Sequence, residues 1–188
     1  MTLLVAGLVA FIGVHLLPVL PPARGSLVAR LGERDYRRLF SLIAAGALVA
    51  ILAGFARAEP GPELFAPRPW ARVIAPAIMA LSLTLLVASK LSGHLRRLVR
   101  HPMLVGTLLW AGIHLAANGD RRSTVLFGAF FAWAVVDLAS AVARATARAF
   151  EPRILHDAIA FGVGVPLTIL IARAHGVLFG IQVYPAPR

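Results

Sequence analysis

Apolar residues along the chain gather into six long runs, separated by short stretches where arginine, proline and glycine concentrate. A helix that crosses a bilayer needs about 20 mostly apolar residues. The runs therefore predict transmembrane helices over 2–20, 39–56, 70–89, 102–118, 124–143 and 158–180. The fourth is the shortest. The sixth is interrupted by "GVGVP" and by Arg173, which leaves five crossings as the alternative if that run is re-entrant or interfacial. No remaining loop is long enough for a soluble domain, and no repeat or low-complexity tract is visible. The expectation is one all-α, polytopic transmembrane bundle over 1–188. In the loop "PPARGSLVARLGERDYRRLFSL", Leu27, Val28 and Leu31 recur at helical spacing. An amphipathic segment resting on headgroups and an ordinary solvated loop both accommodate that pattern.

Composition points to lipid as the solvent. The 188 residues are 59% hydrophobic and 14% charged, with a mean hydropathy of +0.81, whereas a soluble domain carries about a quarter charged residues. A net charge of +11 raises nucleic acid as a partner, but that reading needs a basic face on a soluble fold. Here the arginines punctuate apolar runs, as membrane proteins mark their loops. Nucleic acid is accordingly excluded. Arg24, Arg30, Arg34, Arg37 and Arg38, then Lys90, Arg96, Arg97 and Arg100, then Arg144, Arg148 and Arg153 fall in alternate loops. The opposite side carries only Arg57, Arg68, Arg72, Arg121, Arg122 and Arg188. The positive-inside rule places the richer loops in the cytoplasm and both termini outside. The opening "MTLLVAGLVAFIGVHLLPVLPP" has neither a basic n-region nor a small-x-small cleavage site, so it reads as a retained helix. The absence of cysteine removes thiolate metal sites, iron–sulfur clusters and covalent haem attachment, and leaves histidine and carboxylate as the available ligands.

Six histidines carry most of the candidate chemistry. His94, His156 and His175 lie in or beside loops and read as structural. His101 precedes Pro102, and proline suits the first turn of a helix, so His101 is the natural N-cap of the fourth span. A cap, a headgroup contact and a ligand contact all fit it. His114 lies 13 residues further on, roughly 20 Å along the axis and about 140° around it, so the two cannot hold one small object together. An ionisable residue inside a membrane helix is a functional-site hypothesis by default. His15, in "FIGVHLLP" of the first span, is its possible partner: its depth differs from that of His114 by only ~10 Å, compatible with two imidazoles on opposite sides of a flat cofactor. Pro18 breaks the helix just beyond His15 and leaves a carbonyl near Val14 without its usual donor. Asp137 in "FFAWAVVDLAS" lies at a depth similar to that of His15 and must pair or protonate. Orienting a ligand histidine and pairing with a loop arginine are its two uses. Trp133, one turn earlier, fits either packing or flanking a flat ligand.

The stretches "FIGVHLLPVLPPARGSLVARLGERDYRRLFSL", "RHPMLVGTLLWAGIHLAANGD" and "FGAFFAWAVVD" resemble the NnrU family of bacterial integral membrane proteins, over roughly 1–143. The resemblance implies a role in denitrification and nitric oxide metabolism at the bacterial inner membrane. It also implies a domain shared with plant 15-cis-ζ-carotene isomerase, in which two histidines hold a b-type haem. By motif those histidines fall on His15 and His114. Trp133 stands where the plant enzyme has a further histidine, so the resemblance leaves redox and isomerase-like chemistry both open.

"RHPMLVG" is also similar to the signature of isoprenylcysteine and phospholipid methyltransferases, which would make Arg100, His101 and Gly106 contacts for S-adenosylmethionine. This chain departs from that signature, with Met103 and Leu104 where it carries a tyrosine and a single Glu151 where it has paired acids. Three readings follow. The first is a haem-b protein with His15 and His114 as metal ligands, Arg100 or Arg96 on the propionates, and a redox partner or small hydrophobic substrate. A bis-histidine iron has no open position, so direct chemistry requires one ligand to leave, and electron transfer or nitric oxide sensing follows more directly than oxygen chemistry. The second is the methyltransferase. The third is a non-enzymatic membrane accessory protein whose histidines join helices by hydrogen bonds.

Overall fold

The computed structural model describes residues 1–144, 150–180 and 183; Arg148 and Arg188, counted above as loop charges, lie outside them. All regular structure among these residues is helical. The elements are α1 (Thr2–Leu16), a short 3₁₀ turn (Leu17–Val19), α2 (Pro21–Leu31), α3 (Glu33–Arg57), α4 (Pro69–Ala88), α5 (His94–Val99), α6 (Pro102–Ala117), α7 (Arg121–Ala143) and α8 (Ile154–Phe179). Five of them, α1 with its 3₁₀ turn, α3, α4, α7 and α8, are long and apolar enough to cross a membrane, and α6 is a shorter apolar helix of 16 residues. Their outward faces are apolar: Val73, Leu42 and Val177 are 80%, 72% and 92% exposed. The chain is a multi-pass, all-α membrane protein.

Two local details decide between alternatives that the sequence leaves open. The ambiguous first loop is helical, as α2, and Arg24 at its start pairs with Glu33 at the start of α3. The "GVGVP" stretch does not interrupt the last run: α8 continues through Gly164 and Pro166. In lipid a proline inside a helix is tolerated; the carbonyl that Pro166 leaves without its helical donor is that of Gly162, and two residues further on the Thr168 hydroxyl donates to the Gly164 carbonyl at 2.9 Å.

The helices form two compact units, 1–66 with 118–144, and 67–117 with 145–188. In the first, α1 packs on α3 and α7. Gly54 of α3 makes this possible, because a Cβ there would run into the backbone of Leu3 and Leu4. Without a solvent-driven hydrophobic force, membrane helices associate through such close approach at small residues. Arg122 closes the far end of α3, donating to the carbonyls of Phe55 and Ala58 at 3.2 and 2.8 Å and lying 4.3 Å over the Phe55 ring. A cation on the last carbonyls of a helix is favoured by the helix dipole. Asp120 opens α7 as its N-cap, accepting from the Ser123 N–H. In the second unit α4 packs against both α6 and α8. The Ser82 hydroxyl donates to the Gly106 carbonyl at 2.8 Å, and Gly164 leaves room for Thr84.

Candidate functional site

His15 comes at the end of α1, where Pro18 stops the helix. The carbonyl of Val14, deprived of the donor that Pro18 lacks, accepts from the Leu17 N–H instead, so the chain turns without an orphaned group. One turn back from His15, the Phe11 carbonyl lies 2.7 Å from Nδ1. A carbonyl only accepts, so Nδ1 carries the hydrogen and the lone pair resides on Nε2. The ring stacks on Phe11 with centroids 4.1 Å apart, meets Phe40 of α3 edge-on at 5.0 Å and Trp133 of α7 at 5.4 Å. Three helices of one unit thus enclose one face of His15 with aromatic rings. Trp133 is 7% exposed, and its indole N–H is a buried donor with no acceptor among the described residues. Buried polar groups are nearly always paired, so an orphan of this kind calls for an explanation.

His114, in the second unit, repeats the local arrangement. Its Nδ1 lies 2.8 Å from the Trp110 carbonyl one turn back, and its ring leans on Trp110 with centroids 5.6 Å apart. The same tautomer follows. His175 of α8, read from sequence as a loop-end residue, is within electrostatic range of His114 and packs on Phe179.

Asp137 faces the α7 C-terminus, where Arg144 lies 3.9 Å from its carboxylate and also donates to Ser140. This contact is of the arginine-pairing kind, one of its two expected uses, and the Nδ1 of His15 is held by a backbone carbonyl. His101 accepts the first hydrogen bond of α6, from the Val105 N–H, on its own carbonyl. Arg100, just before it, has φ 61° and closes a tight turn in which the His101 N–H reaches the Val99 carbonyl at 2.6 Å.

Sequence reasoning missed one cluster. Asp157 near the start of α8 accepts from the backbone N–H groups of His94 and Leu95 at 2.8 and 2.9 Å, and lies 2.9 Å from His94 Nδ1. The neighbouring His156 accepts from the Ser92 N–H at 3.0 Å. Together they clamp α5 to α8. The "HD" at 156–157, ahead of an apolar run, was the available signal.

Among the described residues no three His, Cys, Asp or Glu side chains converge as a metal-ion cage would need. A porphyrin asks less of the protein, because it brings four nitrogens and needs only axial ligands. The residues around His15 fit such a group: an imidazole whose Nδ1 is held by a carbonyl so that Nε2 is the nitrogen left for a metal, aromatic walls, and a buried indole donor without an acceptor among the described residues.

The family model described as "NnrU protein" matches residues 3–183, so the chain belongs to the NnrU family. No curated protein and no solved structure matches it.

Proposed function

We propose that this member of the NnrU family binds haem b with His15 and His114 as axial ligands. On this reading it serves nitric oxide metabolism in denitrification, at the bacterial inner membrane, as a redox or nitric-oxide-responsive protein. The observation that carries the reading is common to both histidines: each Nδ1 is held by the carbonyl one turn back, at 2.7 and 2.8 Å, which selects the tautomer whose basic nitrogen is Nε2. Iron-ligating imidazoles are oriented through their second nitrogen in this way. When bound, haem supplies one-electron chemistry and an affinity for nitric oxide. The chain's part is to fix the two imidazoles and keep water from His15 with Phe11, Phe40 and Trp133. The Trp133 N–H offers one hydrogen bond to an acceptor at that ring.

The test is an absorption spectrum of the detergent-purified protein, oxidised and then reduced with dithionite, with a pyridine haemochrome assay. The expected result is a Soret band and split reduced α and β bands, with haem content falling at least tenfold in His15→Ala and in His114→Ala. A colourless protein, after haem is supplied during expression and again after purification, overturns the reading. Loss of S-adenosylmethionine binding in His101→Ala would then favour the methyltransferase.

A further inference from the structure

A second feature of the molecule stands apart from the two histidines, although it includes Arg100, which the sequence offers as a partner for haem propionates. The helix α5 sits where α4 ends and where α6 and α8 begin, and it touches all three. The ends of three apolar helices place it at the boundary between hydrocarbon and water. A cleft of about 590 Å³ opens there, lined by His94, Leu95, Arg97, Leu98, Arg100 and Asp157. A water takes up about 30 Å³ of liquid, so the cleft has room for a whole lipid headgroup.

The charges in the cleft are unevenly committed. Asp157, its one carboxylate, is turned to the two backbone N–H groups and the imidazole that it accepts from. Arg96 reaches the Leu91 carbonyl and lies 5.3 Å over the Phe150 ring. Arg97, in the last turn of α5, and Arg100, the residue that ends it, both line the cleft and are exposed, and among the described residues neither side chain has a hydrogen bond or an ion pair. By contrast Arg24, Arg37 and Arg38 are all paired with carboxylates.

The backbone singles out Arg100 further. Among the described residues it is the one non-glycine residue of positive φ, in a turn that glycine would make without strain. Strained backbone persists where its surroundings over-determine it, and it gathers at ligand sites. What arginine adds to that turn is a guanidinium, whose fork of donors matches phosphate oxygens. Beside it Leu98 is 81% exposed, an apolar side chain suited to the glycerol and acyl region beneath a headgroup.

We propose that the cleft between α5 and the start of α8 binds the phosphate of an anionic phospholipid through Arg97 and Arg100. Basic clusters next to membrane spans attract such lipids. The clamp from Asp157 to His94 and Leu95 holds α5 in place, so the two guanidinium groups are presented on a fixed turn.

The experiment uses the full chain in mixed micelles of phosphatidylcholine and phosphatidylglycerol, with retained lipid counted by native mass spectrometry. Wild-type protein retains phosphatidylglycerol over phosphatidylcholine. Arg97→Gln and Arg100→Gly each lower that retention about fivefold, and Arg97→Lys with Arg100→Lys restores part of it. Arg100→Gly keeps the turn, so its loss of lipid comes without a loss of thermal stability. Arg30→Gln, on the exposed end of α2, leaves retention unchanged. The proposal is overturned if the double variant Arg97→Gln, Arg100→Gly keeps phosphatidylglycerol as wild type does, or if both lipids are held alike. Displacement of the lipid by inorganic phosphate alone would overturn the lipid as occupant and assign the cleft to a soluble phosphate ester. None of these outcomes depends on haem.

Discussion

A carboxylate as enclosed as that of Asp157 is tolerable only while its donors hold it, because burying an unpaired charge is costly. Replacing it by alanine leaves the His94 and Leu95 N–H groups without an acceptor at the start of α5. Asp157→Ala is expected to lower stability by about 3 kcal/mol, and Asp157→Asn, which keeps one acceptor oxygen, by roughly half as much. Thermal unfolding in detergent checks both, and equal stability of the two variants would show that the clamp carries no load. At this scale the sequence was informative about local chemistry and silent about distant chemistry. His15 and His114 stand out because imidazole is rare inside apolar runs, and the carbonyl that each Nδ1 uses is four residues back in the same helix. Asp157 did not stand out, since its partners lie 62 and 63 residues away. The turn at Arg100 was hidden for another reason: arginine gives no hint of positive φ, as glycine or asparagine would.

Among the elements, the contact between α1 and α3 can be tested within one helix. Gly54 has no room for a methyl group, whereas Gly46, two turns earlier in α3, has nothing within 4 Å of the position its Cβ would take. Gly54→Ala must push α1 and α3 apart and is expected to cost about 1–3 kcal/mol. Gly46→Ala is expected to gain about 0.5–1 kcal/mol from the lower backbone freedom of alanine. Resistance to unfolding in mixed detergent micelles ranks them, and a Gly54→Ala protein as stable as wild type would sink the packing argument. The helices themselves were legible because length and hydropathy alone mark a span. His101 and Pro102 marked the start of α6 to the residue. The sequence predicts a span over 158–180 but leaves its continuity with an alternative. "GVGVP" reads as a breaker, and only the neighbouring α4, with Thr84 set against Gly164, shows that the glycine serves close packing.

For the molecule as a whole, the topology turns on α6. At 16 residues it is about 24 Å long, short of a ~30 Å hydrocarbon core. Its register against α4 argues that it crosses all the same. The Arg68 N–H, at the start of α4, donates to the Ala116 carbonyl at the end of α6 at 2.9 Å, and further along Ser82 of α4 donates to the Gly106 carbonyl. The two helices are therefore antiparallel neighbours over most of their length, and α6 reaches as deep as the 20-residue α4 beside it. The mismatch of a few ångströms is absorbed at its ends, where Arg100 and His101 on one side and Asn118 on the other are polar. The positive-inside rule then predicts the orientation from the arginine distribution. A chain without cysteine makes this directly measurable, since each introduced thiol is the only one present. In spheroplasts treated with a membrane-impermeant maleimide, Glu59→Cys and Arg121→Cys are expected to label at once. Ser26→Cys, Lys90→Cys and Arg153→Cys are expected to label only after permeabilisation. Labelling of Lys90→Cys and Arg121→Cys from the same side would mean that α6 turns back within the membrane, and the reverse pattern throughout would invert the orientation.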